Sequence, residues 1–376
     1  LIQGGGDMGD AHWVDAINQN EEIYIPIRIS YDCEYESRLK TVFDIICNTL
    51  EKNDAPKAVL SAAKDISHKI VRALDAYYKG GIVGSYQIVF NILKELEHSF
   101  AISKIRTSIS FPREVEGREE LQLFRARLSE TSIAFKAKEM RHIPFNQRSK
   151  VKSERFSIPG LPCLYLGNTS YACWLEMGCP PEHQFNVSPV TVDPDLKIFN
   201  LTCSTQKLYT IIDWEEDPRT KEEKIVDGIK VYLLNVASSF HVKEQDRHFK
   251  SEYIIPQMIM LACKALGLNG IAYHSKKVEH EAFAAFAAVN LALFADYNNE
   301  KEYSAICNEI KIGDSYNYAL FKQLLPVAVA QESDYKLRND LYYQNLVGDF
   351  KIHFRYQETT FYEFDKFLFS TWKNRF

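Results

Sequence analysis

No spacing in this sequence is suited to a metal site or a redox disulfide. Its eight cysteines (Cys33, Cys47, Cys163, Cys173, Cys179, Cys203, Cys263, Cys307) form no CxxC pair and sit mostly among apolar neighbours, as reduced, buried thiols do. That usage predicts a reducing, cytoplasmic setting. His142, His274 and His280 belong to no HExxH or other ligand spacing, so no catalytic metal and no bound cofactor are expected. The longest nearly apolar run, Ala282 to Ala295, is broken by Asn290 and falls short of the ~20 residues that span a bilayer. No cationic head precedes an apolar core near residue 1, and neither a membrane anchor nor a secretory signal is expected. A surplus of positive charge is also missing: 45 basic residues against 50 acidic ones give a net −5, which argues against bulk attraction to nucleic acid. What is present, 46% hydrophobic and 25% charged residues, is the composition of a folded globular protein. The length of 376 residues exceeds the ~100–200 of one ordinary domain.

Three amphipathic helices are predicted over 36–52, 56–79 and 85–98. Leu39, Val42, Phe43, Ile46 and Leu50 recur at the spacing of one helix face, and Ile66, Ile70, Leu74 and Tyr77 continue the pattern. Gly80-Gly81 reads as a stop and Ser85 as a cap. The texture then changes. Strands are predicted at 121–128, 163–166, 190–201, 270–274 and 289–294, with helices at 168–178, capped by Asn168 or Thr169, and at 252–266, with Pro256 in its first turn. The acidic stretch 213–223 reads as an irregular surface insertion, and the tail from 331 as an aromatic-rich helix and hairpin packed on the core. The division expected is a helical domain at 1–115, a catalytic α+β domain at 116–330 and a C-terminal extension at 331–376. Gly4, Gly6 and Gly9 match GxGxxG, but only Leu1, Ile2 and Gln3 are written before them, so no strand feeds a dinucleotide turn there.

The chemistry concentrates between Phe145 and Gly178. Arg155, Tyr165 and Glu176 follow one another at ten and then eleven residues across a Pro/Gly loop, a strand and a helix. An arginine, an aromatic ring and a carboxylate suit a phosphate-rich nucleotide with a scissile N-glycosidic bond. Arg155 closes a basic span that includes Lys136, Lys138, Arg141, His142 and Arg148, and a guanidinium fork there pairs bidentately with phosphate oxygens. A solvated face accounts for most of the lysines. Tyr165 also fits a half-buried core tyrosine with a satisfied hydroxyl. Glu176 shares a helix face with the small residues Thr169, Ala172 and Cys173, which allows a ligand or a strand to approach it; an exposed acid is the alternative. Tyr273 and Ser275 end an apolar strand, where α/β sheets commonly face their ligands, although serine also suits an ordinary turn.

These segments resemble the RES-domain family of bacterial toxins and effectors, named for an arginine, a glutamate and a serine. The resemblance rests on His142-Ile143-Pro144-Phe145, on Arg155 through Gly167, on Cys173-Trp174-Leu175-Glu176, and on Glu252 to Gln257 with Gly270 to Ser275, about residues 121 to 310 in all. It implies an ADP-ribosyltransferase-like α+β fold that cleaves NAD at the nicotinamide–ribose bond, with NAD as substrate and Glu176, Tyr165, Arg155 and Ser275 as catalytic residues. Arg125, His142, Arg148 and Tyr273 become candidates for binding the substrate. The residues from Pro180 to Lys250 depart from the compact members as a long insertion.

The leaving nicotinamide is already cationic, so one carboxylate suffices where ordinary glycosidases need two. Water as acceptor would make a hydrolase and inorganic phosphate a phosphorylase. A macromolecule would make an ADP-ribosyltransferase, and a non-catalytic nucleotide sensor is a further alternative. An RNA-binding reading leans on the basic span and on Tyr342, Tyr343 and Phe354. Since free NAD destruction kills a host, residues 1–115 are expected to bind an inhibitory partner or to drive a homo-oligomer in a toxin–antitoxin or anti-phage setting.

Overall fold

The computed structural model describes residues 11–29, 34–108, 110–111, 121–130, 133–242, 247–277, 288–330, 346–348 and 353–373. Gly4, Gly6, Gly9, His280, Tyr342 and Tyr343 lie outside the described residues, as does the side chain of Phe354. The chain forms two compact units, one of Leu1–Ile102 with Phe199–Gly267 and one of Ser103–Ile198 with Leu268–Phe376.

The first unit is helical. Helices run over Tyr35–Lys52, Lys57–Tyr78 and Ile82–Glu95, close to the predicted spans, and the apolar seams read from the sequence are buried except for the half-buried Tyr77. Gly80, at φ 81°, ends the second helix where a side chain would be strained. Ser85 is not the cap of the third: the helix starts three residues earlier, after Gly81, and Ser85 is buried inside it. The stretch 213–223 is likewise no irregular insertion. It holds the end of one helix, Thr205–Trp214, and the start of another, Pro218–Ser238. Asp217 supplies the start, its side chain accepting from the Thr220 N–H at 2.8 Å, with Pro218 in the first helical position where no N–H is needed. Pro256 stands third in the helix Ile254–Ala265, within the turn whose N–H groups have no partner inside the helix. Packing therefore groups the chain differently from composition: residues 199–267 join the N-terminal helices, because Val231, Leu234, Ile255 and Ile259 need a helical seam to bury against.

The second unit is an antiparallel sheet with helices, and the protein is of the α+β class. Its labelled elements are β1 (Leu121–Leu128), β2 (Cys163–Gly167), α1 (Ser170–Glu176), β3 (Phe185–Val192), β4 (Gly270–His274), β5 (Val289–Phe294), β6 (Ile310–Ile312), α2 (Tyr318–Ala330) and α3 (Thr360–Lys373). Within this unit the main sheet runs in the order β6–β3–β1–β2–β5–β4, with the short strand Tyr316–Asn317 also pairing with β3. Successive side chains of a strand point to opposite faces. Leu123, Leu164, Leu166, Ala272, Leu291 and Leu293 thus share one face, where they form a buried cluster with Val190 and Val192. Phe124 and Ala126 belong to a second cluster, built with Cys173 of α1 and with Phe364, Leu368 and Phe369 of α3.

The aromatic tail thus buries its helix against this second face. A backbone hairpin of Leu346–Gly348 with His353–Arg355 precedes it. Phe364 is fully buried and touches the Phe321 ring, with centroids 4.9 Å apart. Phe364→Ala is expected to destabilise the second unit by about 3–5 kcal/mol, through lost transfer energy and the cavity left behind. Denaturant unfolding followed at residues of this unit checks it; a change under ~1 kcal/mol would mean that α3 contributes little to the core.

Candidate active site

The sheet register sets the floor of the site. Phe124 stands opposite Gly167, Gly167 opposite Asn290, and Asn290 opposite Tyr273; two residue pairs along, Tyr165 stands opposite Ala292. Tyr165, Asn290 and Tyr273 therefore share the face on which α1 packs. Gly167 makes that packing possible, since a Cβ there would meet Cys173 Sγ at 2.8 Å. The turn into α1 is fixed from two directions. Asn168 exchanges bonds with Val289, its N–H donating to the Val289 carbonyl at 2.9 Å and its Oδ1 accepting from the Val289 N–H at 3.1 Å. Thr169 is the cap that the sequence suggested, its Oγ1 accepting from the Ala172 N–H at 2.9 Å.

Glu176 is the last residue of α1 and is half-buried. Thr169, Ala172 and Cys173 of its face are buried, and the element that approaches the carboxylate is a strand: Asn290 Nδ2 donates to Glu176 Oε1 at 2.7 Å. Beside Asn290, the buried Tyr273 ring touches both Phe156 and Arg155. Its centroid is 4.7 Å from that of Phe156 and 4.9 Å from the Arg155 guanidinium carbon. Arg155 Nη1 donates to the His274 carbonyl at 2.9 Å, so the arginine that begins the motif is clamped to the strand that ends it. Burial raises the Tyr273 hydroxyl well above its ordinary range, nearby Glu176 raises it further, and Arg155 partly offsets both. Tyr165 Oη donates to Ser157 Oγ at 3.1 Å, and burial likewise raises its hydroxyl, which keeps it a proton-bearing donor.

The other candidates are held mainly by their own local contacts. Ser275 follows β4 directly; its N–H donates to the Ala288 carbonyl at 2.9 Å and its Oγ accepts from the Lys277 N–H at 3.1 Å, so it shapes the turn at the site's edge. Strand alternation starts Arg125 on the side of Leu123, and its contact with β2 is to main chain, Nη1 to the Tyr165 carbonyl at 2.9 Å. His142 is held by main chain on both nitrogens: Nδ1 meets the Ile143 carbonyl at 2.8 Å and Nε2 accepts from the Ser304 N–H at 3.0 Å. Burial lowers its pKa, and this neutral ring ties the basic loop to residue 304 and offers neither nitrogen to a ligand. Arg148 stacks on Tyr297, 4.1 Å from the ring centroid, in a pair exposed to solvent. Asn290 and Ser157 are the residues that sequence reading passed over. The signal for Asn290 was its lone polarity in an apolar run.

His274 gives the site a pH signature. Burial, and then the adjoining Arg155, depress its pKa from 6.5 to about 4. The folded protein thus refuses a proton that the unfolded chain accepts, so the stability this group contributes is full above about 6.5 and is lost as pH falls toward 4. The expected loss is about 3 kcal/mol at most. Chemical denaturation of wild type and His274→Asn from pH 7 to 4 checks it, with a shallower fall in the variant; parallel curves would remove His274 as the cause.

Among the described residues no group of three or more His, Cys, Asp or Glu is placed to hold a metal ion, and no helix is long and apolar enough to cross a membrane.

Residues 123–306 match the RES domain. Over 166 residues the chain is 37% identical to the protein named "Putative toxin YopC" of Bacillus subtilis (strain 168), across 43% of this chain and 37% of that one, so it spans about a third of that relative's length. A crystal structure of the M. tuberculosis MbcT-MbcA toxin-antitoxin complex is similar over 63% of this chain and 96% of its own, at 12% identity and a TM-score of 0.29. Arg125, Arg155, Tyr165, Glu176, Tyr273, Ser275 and Asn290 all fall within residues 123–306, the span over which the chain is similar to the RES-domain family.

Proposed function

We propose that the second unit cleaves NAD at the bond between nicotinamide and ribose, as the enzyme of a RES-type toxin or effector that depletes cellular NAD. The observation that carries this is the Glu176–Asn290 pair beside Tyr273 and Arg155: a single oriented carboxylate, a buried phenol and a clamped guanidinium on one sheet face. In this reading the C–N bond breaks with its electron pair leaving on the pyridine nitrogen, which neutralises the nicotinamide. Positive charge develops on the ribose, where Glu176 stabilises it electrostatically and engages the hydroxyls. Tyr165 orients the base, Arg155 holds the diphosphate, Arg125 braces the strand that carries Tyr165 from the opposite face, and Ser275 borders the reacting sugar. Water adds its oxygen to the sugar carbon and releases one proton, giving ADP-ribose; inorganic phosphate adds in its place, giving the 1″-phosphate.

The relative's printed name supports a toxin reading, and an inhibitory partner or a homo-oligomer through the N-terminal helices would restrain such an enzyme. The test is to incubate the purified chain with NAD, with and without phosphate, and to identify products by mass. Nicotinamide with ADP-ribose or its 1″-phosphate is expected. Intact NAD under both conditions would overturn the proposal, and tight binding of ADP-ribose without turnover would favour a sensor.

A further inference from the structure

We propose that Asp365, on α3 and beyond the matched domain, is a positioning residue for Glu176, acting through the first N–H of the helix that carries it; this rests on the reading of Glu176 given above. Helix α1 has only seven residues, too few to hold a direction by its own hydrogen bonds, so its neighbours at either end must set its axis. Thr169 satisfies one N–H of the first turn. A second is satisfied from far along the chain: the Ser170 N–H donates to Asp365 Oδ1 at 3.1 Å. Tyr356 Oη donates to Oδ2 at 2.7 Å, so both carboxyl oxygens are engaged.

Asp365 and Tyr356 are fully buried, and among the described residues no lysine or arginine pairs with Asp365. Burying a carboxyl without a cation is costly, and a hydrophobe would fill the same volume at less cost. What a hydrophobe lacks is a bond that fixes the start of α1, six residues before Glu176. Burial raises the Asp365 carboxyl pKa to about 7 even though the Ser170 and Tyr356 bonds partly offset it. The tail would then be a working part of the catalytic unit, because it sets where the Glu176 carboxylate meets Asn290.

The full-length chain carrying Asp365→Ala, Asp365→Asn or Ser170→Pro tests this. Proline suits the first helical position after the extended Thr169 and has no N–H to give Asp365; it also removes the Ser170 Oγ bond to the Phe361 carbonyl, long at 3.5 Å. Two readouts are taken: kcat and KM for NAD separately, and amide hydrogen exchange over residues 170–176. Asp365→Ala and Ser170→Pro should each lower kcat by about tenfold or more with KM changed less than about threefold, since the misplaced group acts in the transition state. Exchange should quicken in 170–176 ahead of β2 and β5. Asp365→Asn keeps an oxygen for Ser170 and should recover most of the rate. Wild-type kcat in Ser170→Pro, or exchange that quickens evenly across the sheet, would overturn the proposal, and Ser170→Pro decides if Asp365→Ala fails to fold. If the wild type itself leaves NAD intact, the functional reading fails, and the exchange pattern alone decides whether Asp365 positions α1.

Discussion

Glu176→Gln is expected to slow NAD cleavage by roughly 10²–10³-fold while KM shifts by less than about threefold, because the lost charge stabilises the transition state and contributes little to ground-state binding. The fold should be indifferent to the change. Glu176 is half-buried, makes no ion pair among the described residues, and meets only the Nδ2 donor of Asn290, which a glutamine oxygen accepts equally well. An unchanged melting temperature beside a collapsed kcat would therefore assign the loss to charge, not to packing. Asn290→Ala separates orientation from charge: the carboxylate stays but loses the bond that aims it, and a smaller fall in kcat should follow. Turnover in Glu176→Gln comparable to wild type would remove Glu176 from the chemistry, and with it the reading of the whole sheet face.

Much of this site was legible because its elements are local. Thr169 before a short apolar helix signals a cap, and Pro159-Gly160 with Pro162 isolates a strand; together these place Tyr165 on a strand and Glu176 on the following helix before any tertiary contact is considered. What stayed hidden depends on register or on distant packing. Asn290 reads only as a flaw in an apolar run, until β5 is paired with β2 and β4 and the flaw lands beside Glu176. His142 looks like a ligand in a basic stretch until the Ser304 N–H claims its second nitrogen, 162 residues later in sequence. The helix Pro218–Ser238 begins in a run of acidic residues that masks its periodicity, and only Asp217 and Pro218 announce it. Asp365 gives no sign at all in sequence, since its meaning lies in an N–H group 195 residues away.

Arg155→Lys should be far from conservative. The side chain is 6% exposed, lies over two aromatic rings and donates to the His274 carbonyl, a combination that needs a flat, forked cation. An ammonium keeps the charge but not the plane: it can hold the carbonyl or sit over the rings, and it is more costly to dehydrate. A loss of about 2–4 kcal/mol of stability is expected, seen as a drop of several degrees in Tm. The KM for NAD should rise by about tenfold or more as the diphosphate loses its fork, and kcat should fall because the Tyr273 ring loses the cover that fixes it beside Asn290. Arg155→Met gives the comparison. It keeps the apolar contact with Phe156 and Tyr273 but removes the charge, so His274, held down by burial first and by Arg155 second, should become easier to protonate. If lysine and methionine lower activity equally, shape is what the site requires of Arg155; if lysine retains most of the affinity, charge is. Wild-type KM and kcat in both would leave Arg155 a structural clamp and remove the proposed grip on the diphosphate.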